Sequence, residues 1–289
     1  MVNQPLVSIV IPAYRAENTI AFTVRSVLAQ TYDRWQVAIG VDDRVDYLQL
    51  LAEQGINDPR LKQIFTGGIG SGEAIARNTA VSICDGGILA NLDADDAFAP
   101  DRLEKLVPLA EKYGVAIDNT GVYNSELVLY KQPFPQRQEV SFATAADILS
   151  PRIPFFPVFQ RQFLADGWTK VPFAADVLFN LELLSRTEKV AIHPDPLYRY
   201  YKRDNSITQS ANAFETAEKA YLTILSLLDE GALTLTDTIR QAAHQEFSEN
   251  LALNKVFRRY MEEGRCQNLE QFLDMTNNGQ QIEFAAHPN

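Results

Sequence analysis

Three carboxylates lie within four residues at Asp93-Ala94-Asp95-Asp96, the densest group of chemically active side chains in the sequence. Carboxylates this close repel one another unless solvent or a cation compensates their charge. Their oxygen atoms suit Mg²⁺ or Mn²⁺, which typically bridge a few carboxylates to the phosphates of a substrate. A solvated turn before a helix that begins at Asp101 is the alternative interpretation. Because the motif follows a predicted buried strand, we favour a metal site.

Two other polar segments also follow predicted strands. Turn chemistry or helix capping explains the pair Asp42-Asp43 as well as a binding role does. The glycine-rich run at 67–72 lacks the third glycine of the dinucleotide fingerprint and the lysine of a Walker motif. These departures disfavour a Rossmann dehydrogenase and a P-loop nucleotidase. The sequence also has no G-x-S-x-G elbow, and its three histidines lack zinc-site spacing.

The first hundred residues alternate short apolar runs with segments of helical periodicity. The predicted strands are residues 7–11, 36–41, 63–65 and 88–92, and the predicted helices are 17–30, 46–54, 72–84 and one opened by Pro100 and Asp101. Such alternation predicts a parallel sheet with helices on its faces. Ligands of these sheets bind beyond the carboxyl ends of the strands, where both acidic motifs and the glycine run would lie.

After the first hundred residues, we predict mixed strands and helices to about residue 208 and only helices beyond it. We predict a strand at 122–130, a helix at 176–185, a strand at 190–200 and two long helices at 213–230 and 236–263. This pattern divides the chain into an α/β domain, 1–208, with halves at 1–100 and 101–208, and a helical C-terminal extension, 209–289. Apolar stripes on the long helices must be buried, either on the α/β domain or in a homodimer.

Composition narrows the classes of protein. The 289 residues include 37 acidic and 26 basic side chains, a formal net charge of −11, which argues against a nucleic-acid partner. A hydrophobic fraction of 46% allows a substantial core, and two distant cysteines fit a reducing compartment. No apolar run is long enough for a transmembrane segment, and the N-terminus does not resemble a signal peptide. We therefore expect a cytoplasmic protein.

Several segments together resemble the inverting family 2 glycosyltransferases. The likeness covers roughly residues 6–205 in the family's order and rests on the segments 7–14, 26–32, 41–43, 76–80, 92–96 and 100–103. It implies a GT-A fold, in which helices flank a Rossmann-like, mostly parallel sheet. Here that fold would carry a helical C-terminal extension.

The resemblance implies a role for particular residues. Asp43 matches the carboxylate that accepts from the pyrimidine N3–H of a nucleotide-sugar donor. Asp93 and Asp95 match the D-x-D signature, which holds a divalent cation, Mn²⁺ or Mg²⁺, on the donor diphosphate. Asp176 matches the catalytic base, for which helix capping is the structural alternative. The other donor-binding positions that it implies are Pro12, Ala13, Tyr14, Glu17, Arg77, Ala94, Arg199, Lys202 and Arg203.

This sequence differs from the family's usual residues at two places and lacks one motif of the processive enzymes. Arg44-Val45 replaces the family's usual Gly-Ser, and Ala175 replaces the usual glutamate before the catalytic aspartate. The Q-x-x-R-W motif of processive synthases is absent. The implied function is metal-dependent, inverting, single transfer of a sugar from a UDP-linked donor to a hydroxyl. The acceptor is unidentified: a saccharide, a lipid-linked acceptor or a small molecule.

Two other functions stay open. A sugar-nucleotidyltransferase also uses a metal and aspartates at a sheet edge, but its first strand should precede a glycine- and arginine-rich loop. Residues 12–15, Pro-Ala-Tyr-Arg, do not provide one. A non-catalytic nucleotide-sugar-binding protein is suggested by the altered loop at Arg44-Val45 and by the long C-terminal helices.

Overall fold

The computed structural model describes residues 4–124, 126–151, 153–187, 189–202 and 213–267, together with 271, 272 and 275. The chain forms two compact units. The first comprises Met1–Lys170, Ala174–Lys202 and Thr234–Ile239. The predicted domain boundary at 208/209 lies outside the described residues, as does the candidate donor-binding residue Arg203.

Most of the first unit is an eight-stranded mixed sheet. In sheet order its strands are β3 (Leu61–Phe65), β2 (Trp35–Val41), β1 (Val7–Ala13), β4 (Ile88–Asn91), β10 (Val158–Gln160), β6 (Gly114–Asp118), β11 (Lys189–His193) and β9 (Ser141–Phe142). The first four are mutually parallel, whereas β10 and β9 run antiparallel to their neighbours. Strands β2 and β4 are buried along their whole length, which fits their mostly apolar sequences, WQVAIGV and ILAN.

Helices cover this sheet. They are α1 (Ile20–Leu28), α2 (Tyr47–Glu53), α3 (Glu73–Val81), α4 (Arg102–Tyr113), α5 (Ala145–Leu149) and α6 (Ala175–Arg186), with a short 3₁₀ turn at Arg161–Phe163. Helix α3 packs directly on β1 and β2. A Cβ at Gly40 of β2 would lie 2.0 Å from the Ala76 carbonyl oxygen, so only glycine allows this approach.

A smaller sheet brings a distant segment to the Asp93–Asp96 motif. Its order is β5 (Ala97–Phe98), β12 (Tyr198–Tyr201), β7 (Gly121–Tyr123) and β8 (Leu129–Lys131). Strand β5 follows the motif at once and pairs antiparallel with β12. Residues about a hundred positions further along the chain therefore lie beside the acidic motif.

The predicted elements of the first hundred residues are confirmed, with small shifts at their ends. Two predicted strands are wrong. Residues 122–130 are not one strand, because they include parts of β7 and β8, which pair antiparallel. Leu127, between the two strands, has a left-handed φ of 62°. Residues 190–200 divide into β11 and β12, which belong to different sheets, because Pro194 and Pro196 interrupt the run. Strand β6 was not predicted, because it begins at the glycine that ends α4.

The second unit contains α7 (Ala213–Asp229) and most of α8 (Asp237–Glu262), so both predicted C-terminal helices are confirmed. The Asn254 side-chain amide donates to the Phe214 carbonyl at 2.8 Å, and the Phe257, Tyr260 and Phe272 rings pack together. In the part of the chain that the structure describes, no helix is long and apolar enough to cross a membrane. Dimerisation through these helices stays a prediction.

Candidate active site

The Asp93–Asp96 motif begins two residues after β4 and is held by strand β12. The Tyr198 hydroxyl accepts from the Asp93 backbone N–H at 3.0 Å and donates to Asp96 Oδ2 at 2.9 Å. Asp96 Oδ1 accepts from the Tyr201 backbone N–H at 2.9 Å. Asp96 is fully buried, so it anchors the turn, whereas Asp93 and Asp95 stay partly exposed. The anchoring role of Tyr198 was not predicted from the sequence.

A buried ion pair holds the backbone of Tyr198 in place. Arg102 Nε donates to Asp118 Oδ2 at 2.8 Å, and Asp118 Oδ1 accepts from the Tyr198 backbone N–H at 2.8 Å. Both side chains are almost completely buried. Removing one member would leave an uncompensated charge, so this pair fixes the position of β12 against α4.

Arg77 lies at the centre of the site. Its side chain is fully buried, and its guanidinium pairs with Glu73 one helical turn earlier and with Asp93. The Arg77 Cζ atom lies 5.9 Å from the centre of the Trp168 ring. Burial opposes its charge, but Glu73 and Asp93 raise the pKa of Arg77 above its ordinary value. Its i,i+4 spacing to Glu73 is the signal in the sequence that could have identified Glu73.

Arg77 and Glu73 influence the pKa values of two candidate site residues, Asp93 and Asp176. Burial raises the pKa of Asp93 to about 7, with Arg77 opposing the rise and Glu73 and Asp95 adding to it. Burial also raises the pKa of Asp176 to about 6, Glu73 adds to the rise and Arg77 opposes it. The D-x-D motif and Asp176 therefore lie in one electrostatic environment. We call Glu73, Asp93, Asp95 and Asp176, with Arg77 among them, the carboxylate cluster.

Asp176 does not cap its helix. The N-cap of α6 is Ala174, with a left-handed φ of 65° and no side-chain bond to the helix. Asp176 lies in the first turn, where the nearby backbone N–H groups of Val177 and Asp176 lower the pKa of its carboxyl and so oppose the effect of burial. Carboxylates are favoured at this end of a helix dipole, which helps to keep Asp176 ionised against burial. The capping interpretation of Asp176 is therefore wrong.

A second acidic site, which we call the Asp43 site, comprises Tyr14, Asp43 and Tyr47. Asp43 Oδ2 accepts from the Arg15 backbone N–H and from the Tyr47 hydroxyl, the latter at 2.6 Å. Asp43 Oδ1 accepts from the Val45 backbone N–H at 3.1 Å. Asp43 is partly exposed, and the Tyr14 side chain is 44% exposed. The carboxylate is therefore oriented by the loops after β1 and β2 and still open to a ligand.

The neighbouring Asp42 has a structural role. Its carboxylate is buried and accepts from the Thr66 hydroxyl at 2.7 Å and from the Gly72 backbone N–H at 2.9 Å. The Asp42 carbonyl also accepts from the Gly70 N–H at 2.9 Å. These bonds tie the glycine run over the end of β2. Burial opposes ionisation, but the bonds lower the pKa of Asp42 overall.

The remaining predicted positions are distributed around both sites. Pro12 and Ala13 end β1, exposed Glu17 lies near the Tyr47 phenol, and the Ala94 carbonyl accepts from the Thr19 hydroxyl at 2.7 Å. On β12 the Arg199 side chain bonds Tyr201, and the Lys202 Nζ atom lies 5.7 Å from the centre of the Tyr130 ring. Burial raises the pKa of Tyr200, and Asp96, Asp93 and Asp95 add to the rise.

The carboxylates present fit a cation shared with a ligand. Among the described residues, no group of three His, Cys, Asp or Glu side chains is arranged to hold a metal ion by itself. Asp93 and Asp95 offer two partly exposed carboxylates, and Arg77 occupies one oxygen of Asp93. Mg²⁺ and Mn²⁺ commonly bind through one or two carboxylates plus substrate phosphates and water. The D-x-D motif is therefore compatible with such a cation.

Several curated proteins are similar to this chain. An Escherichia coli UDP-Glc:α-D-GlcNAc-diphosphoundecaprenol β-1,3-glucosyltransferase, WfgD, is 34% identical over 134 residues, which are 46% of this chain and 52% of that protein. The succinoglycan biosynthesis protein ExoO of Rhizobium meliloti is 27% identical over 239 residues, 75% of this chain and 68% of that protein. The match with WfgD thus spans about half of its length.

Solved structures share the fold. The crystal structure of S. aureus TarS with UDP-GlcNAc has a TM-score of 0.64 at 19% identity, covering 84% of this chain and 71% of that one. A Pyrobaculum calidifontis mannosyltransferase with GDP-Man and Mn²⁺ has a TM-score of 0.58 at 15% identity, covering 96% and 80%. The GT-A fold is thereby confirmed. Since a sequence model described as "Glycosyl transferase family 2" matches residues 8–168, this chain belongs to that family.

Proposed function

We propose that this protein transfers a single sugar, with inversion, from a UDP-linked donor to a hydroxyl group, using Mn²⁺ or Mg²⁺. The observation that carries the proposal is the common environment of Asp93 and Asp176 around Arg77. This common environment supports a pairing of one carboxylate suited to proton abstraction with others suited to holding a diphosphate. Both groups are needed by a transfer that deprotonates an acceptor and stabilises a departing diphosphate.

The donor base is assigned to the Asp43 site. The Asp43 carboxylate is oriented by the Arg15 N–H, the Val45 N–H and the Tyr47 hydroxyl, and it retains acceptor capacity on Oδ1. An N–H such as uracil N3–H is the matching donor. The exposed Tyr14 ring offers an apolar face within the same site. Tyr14 also lies close to the glycine run, because a Cβ added to Gly70 would be 3.7 Å from the Tyr14 hydroxyl.

The diphosphate is assigned to the D-x-D motif, where Asp93 and Asp95 would hold the cation. A bound divalent cation would supply charge stabilisation for the leaving diphosphate. The chain's own contribution is rigidity, because the Tyr198 hydroxyl and Asp96 fix the backbone of the motif. Arg77 is buried beside Asp93 and adds a positive charge at the same place.

Asp176 is proposed as the general base. A carboxyl whose pKa is raised to about 6 is mostly ionised at pH 7 and is a stronger base than an ordinary aspartate. It would take the acceptor proton as the acceptor oxygen attacks the anomeric carbon. In an inverting reaction this attack and the departure of the diphosphate occur on opposite faces of an oxocarbenium-like sugar.

The acceptor is proposed to be a saccharide. The similar proteins include enzymes named for a glycan on diphosphoundecaprenol, for teichuronic acid and for colanic acid. A lipid-linked saccharide is therefore the first acceptor to test.

We also propose that the chain divides into a transferase domain at 1–208 and a helical extension at 209–289.

The experiment is a donor panel with Mn²⁺ and a set of saccharide acceptors, monitored by release of nucleoside diphosphate. We expect UDP release that requires both acceptor and metal, and a product of inverted anomeric configuration. Incubation with a nucleoside triphosphate and a sugar phosphate is the matched control. Release of pyrophosphate in that control would instead identify a sugar-nucleotidyltransferase, and donor binding without turnover on the whole panel would indicate a binding protein.

A further inference from the structure

The Asn78 side chain joins helix α3 to the loop that precedes α6. Its Nδ2 atom donates to the Trp168 carbonyl at 2.9 Å, and its Oδ1 atom accepts from the Trp168 backbone N–H, also at 2.9 Å. The preceding Gly167 has a φ of 83°, and a Cβ at that position would lie 2.1 Å from Asn78 Oδ1. Only glycine at position 167 therefore lets the loop approach Asn78 this closely.

The Trp168 ring lies beside both helices that carry residues of the carboxylate cluster. It stacks on the Phe179 ring of α6, with the ring centres 4.3 Å apart and the planes at 25°. On α3, the Arg77 Cζ atom is 5.9 Å from the centre of the same ring. Phe179 follows Asp176 by three residues, so the two lie on one face of α6. Trp168 therefore connects the helix of Arg77 with the helix face that bears Asp176.

The first turn of α6 needs support from outside the helix. Its N-cap, Ala174, makes no side-chain hydrogen bond to the helix, whereas a polar N-cap would fix this end locally. Trp168 and Phe179 are almost completely buried, and side chains in such an interior are closely packed. Their stacking is therefore a firm contact that supports the first turn of α6, where Asp176 lies.

We propose that Asn78 is a positioning residue for the transfer reaction, which holds the Trp168 loop so that Asp176 keeps its place relative to Arg77 and the D-x-D motif. This inference rests on the proposed role of Asp176 as the general base. Asn78 acts through Trp168 and is assigned no contact with a substrate. Proton abstraction depends on exact placement of the base, and a displacement of about 1 Å can cost about a hundredfold in rate.

The test is a double-mutant cycle, in which Asn78→Ala is made alone and in combination with Asp176→Asn. In the single variant we expect kcat to fall by about 10–100-fold and the affinity for UDP with Mn²⁺ to stay within about threefold, because only the base is displaced. In the Asp176→Asn background the further fall in kcat should be less than about twofold, since the residue that Asn78 positions is no longer a base. A merely structural role would lower kcat by the same factor in both backgrounds.

Asn119→Ala is the matched control. The Asn119 amide also bonds both backbone groups of one residue, donating to the Phe134 carbonyl at 2.9 Å and accepting from the Phe134 N–H at 2.8 Å. This variant should lower the melting temperature as Asn78→Ala does and leave kcat unchanged. Gly167→Ala disturbs the Asn78 contact from the loop side without altering α3, and it should reproduce the fall in kcat.

Three results would overturn the inference and leave the proposed function intact. They are a kcat of Asn78→Ala within about twofold of wild type, an equal loss in both backgrounds of the cycle, and an equal fall in kcat in Asn119→Ala. A wild type that releases no UDP with any acceptor of the panel would overturn the proposed function and this inference with it.

Discussion

Two acidic sites lie at the same edge of the sheet, and the chain satisfies them differently. In the loops after β2, Asp42 and Asp43 accept hydrogen bonds from backbone N–H groups and hydroxyls, and these bonds lower the pKa of Asp42. In the carboxylate cluster, burial and neighbouring acids raise the pKa values of Asp93 and Asp176. The carboxylates after β2 are stabilised by hydrogen bonds from the chain itself, whereas the carboxylate cluster gathers several acidic side chains around the single positive charge of Arg77.

This difference favours the carboxylate cluster as the proposed cation site. Raised carboxyl pKa values show that the cluster holds ionised carboxylates at a free-energy cost, which a bound positive charge would remove. Asp96 belongs to neither site as a ligand, because it is buried against Tyr198. Acidic residues that are adjacent in sequence thus divide into buried anchors, Asp42 and Asp96, and partly exposed carboxylates, Asp43, Asp93 and Asp95, which we propose as the ligand-binding residues.

The largest expected effect is that of Asp176→Asn on turnover. The amide keeps the shape of the side chain but cannot accept a proton, so the rate of transfer should fall by about 10²–10⁴-fold. Affinity for UDP with Mn²⁺ should stay within about threefold, since proton abstraction occurs only in the chemical step. Steady-state kinetics and calorimetry measure the two. Turnover within about tenfold of wild type would end the assignment of the base.

Asp95→Asn is expected to act next most strongly, and on metal-dependent binding alone. Loss of one carboxylate ligand should weaken the affinity for UDP in the presence of Mn²⁺ by about 10–100-fold and leave metal-free binding unchanged. Asp85→Asn provides the matched control, because Asp85 is an exposed carboxylate paired with Lys62 outside the site. Equal Mn²⁺-dependent affinities in Asp95→Asn and wild type would rule out the D-x-D motif as the cation site.

Asp43→Ala should weaken UDP binding by about tenfold with or without Mn²⁺, as expected for a charged hydrogen bond to the base. Asp46→Ala is the control in the same loop, because Asp46 caps α2 through the Gln49 N–H at 3.0 Å. It should lower the melting temperature without changing UDP affinity. A wild type with equal affinities for GDP and UDP would contradict the assignment of Asp43 to a uracil base.

The smallest expected effect is on the pH dependence of stability. A carboxyl with a raised folded-state pKa stabilises the fold at low pH, and that contribution is lost as the pH rises through the folded-state value. For Asp176 this window runs from about pH 4 to pH 6. The fall in melting temperature of wild type between pH 5 and pH 8 should therefore be a few degrees larger than that of Asp176→Asn. If the melting temperatures of the two proteins fall in parallel with pH, ionisation of Asp176 does not destabilise the fold.

The sequence predicts the framework of the site better than its supports. Strands β1, β2 and β4 are local apolar runs, and the polar residues after them can be found without knowing the fold. Tyr198 contacts Asp93 and Asp96 across more than a hundred residues, and no local pattern reports such a contact. Residues 190–200 likewise resemble one strand until two sheets divide them. The left-handed φ of Arg44 is also invisible, because its residue type argues against it.

The contrast between the two sites can be measured as proton release. Burial raises the pKa of Asp93 to about 7, so near neutral pH part of the free protein carries a proton on Asp93, which must leave before the carboxylate can hold a cation. Calorimetry of UDP binding in buffers of different ionisation enthalpy should therefore show more protons released with Mn²⁺ present than without it. Asp95→Asn should abolish the release. Binding enthalpies independent of buffer in the presence of Mn²⁺ would contradict the account.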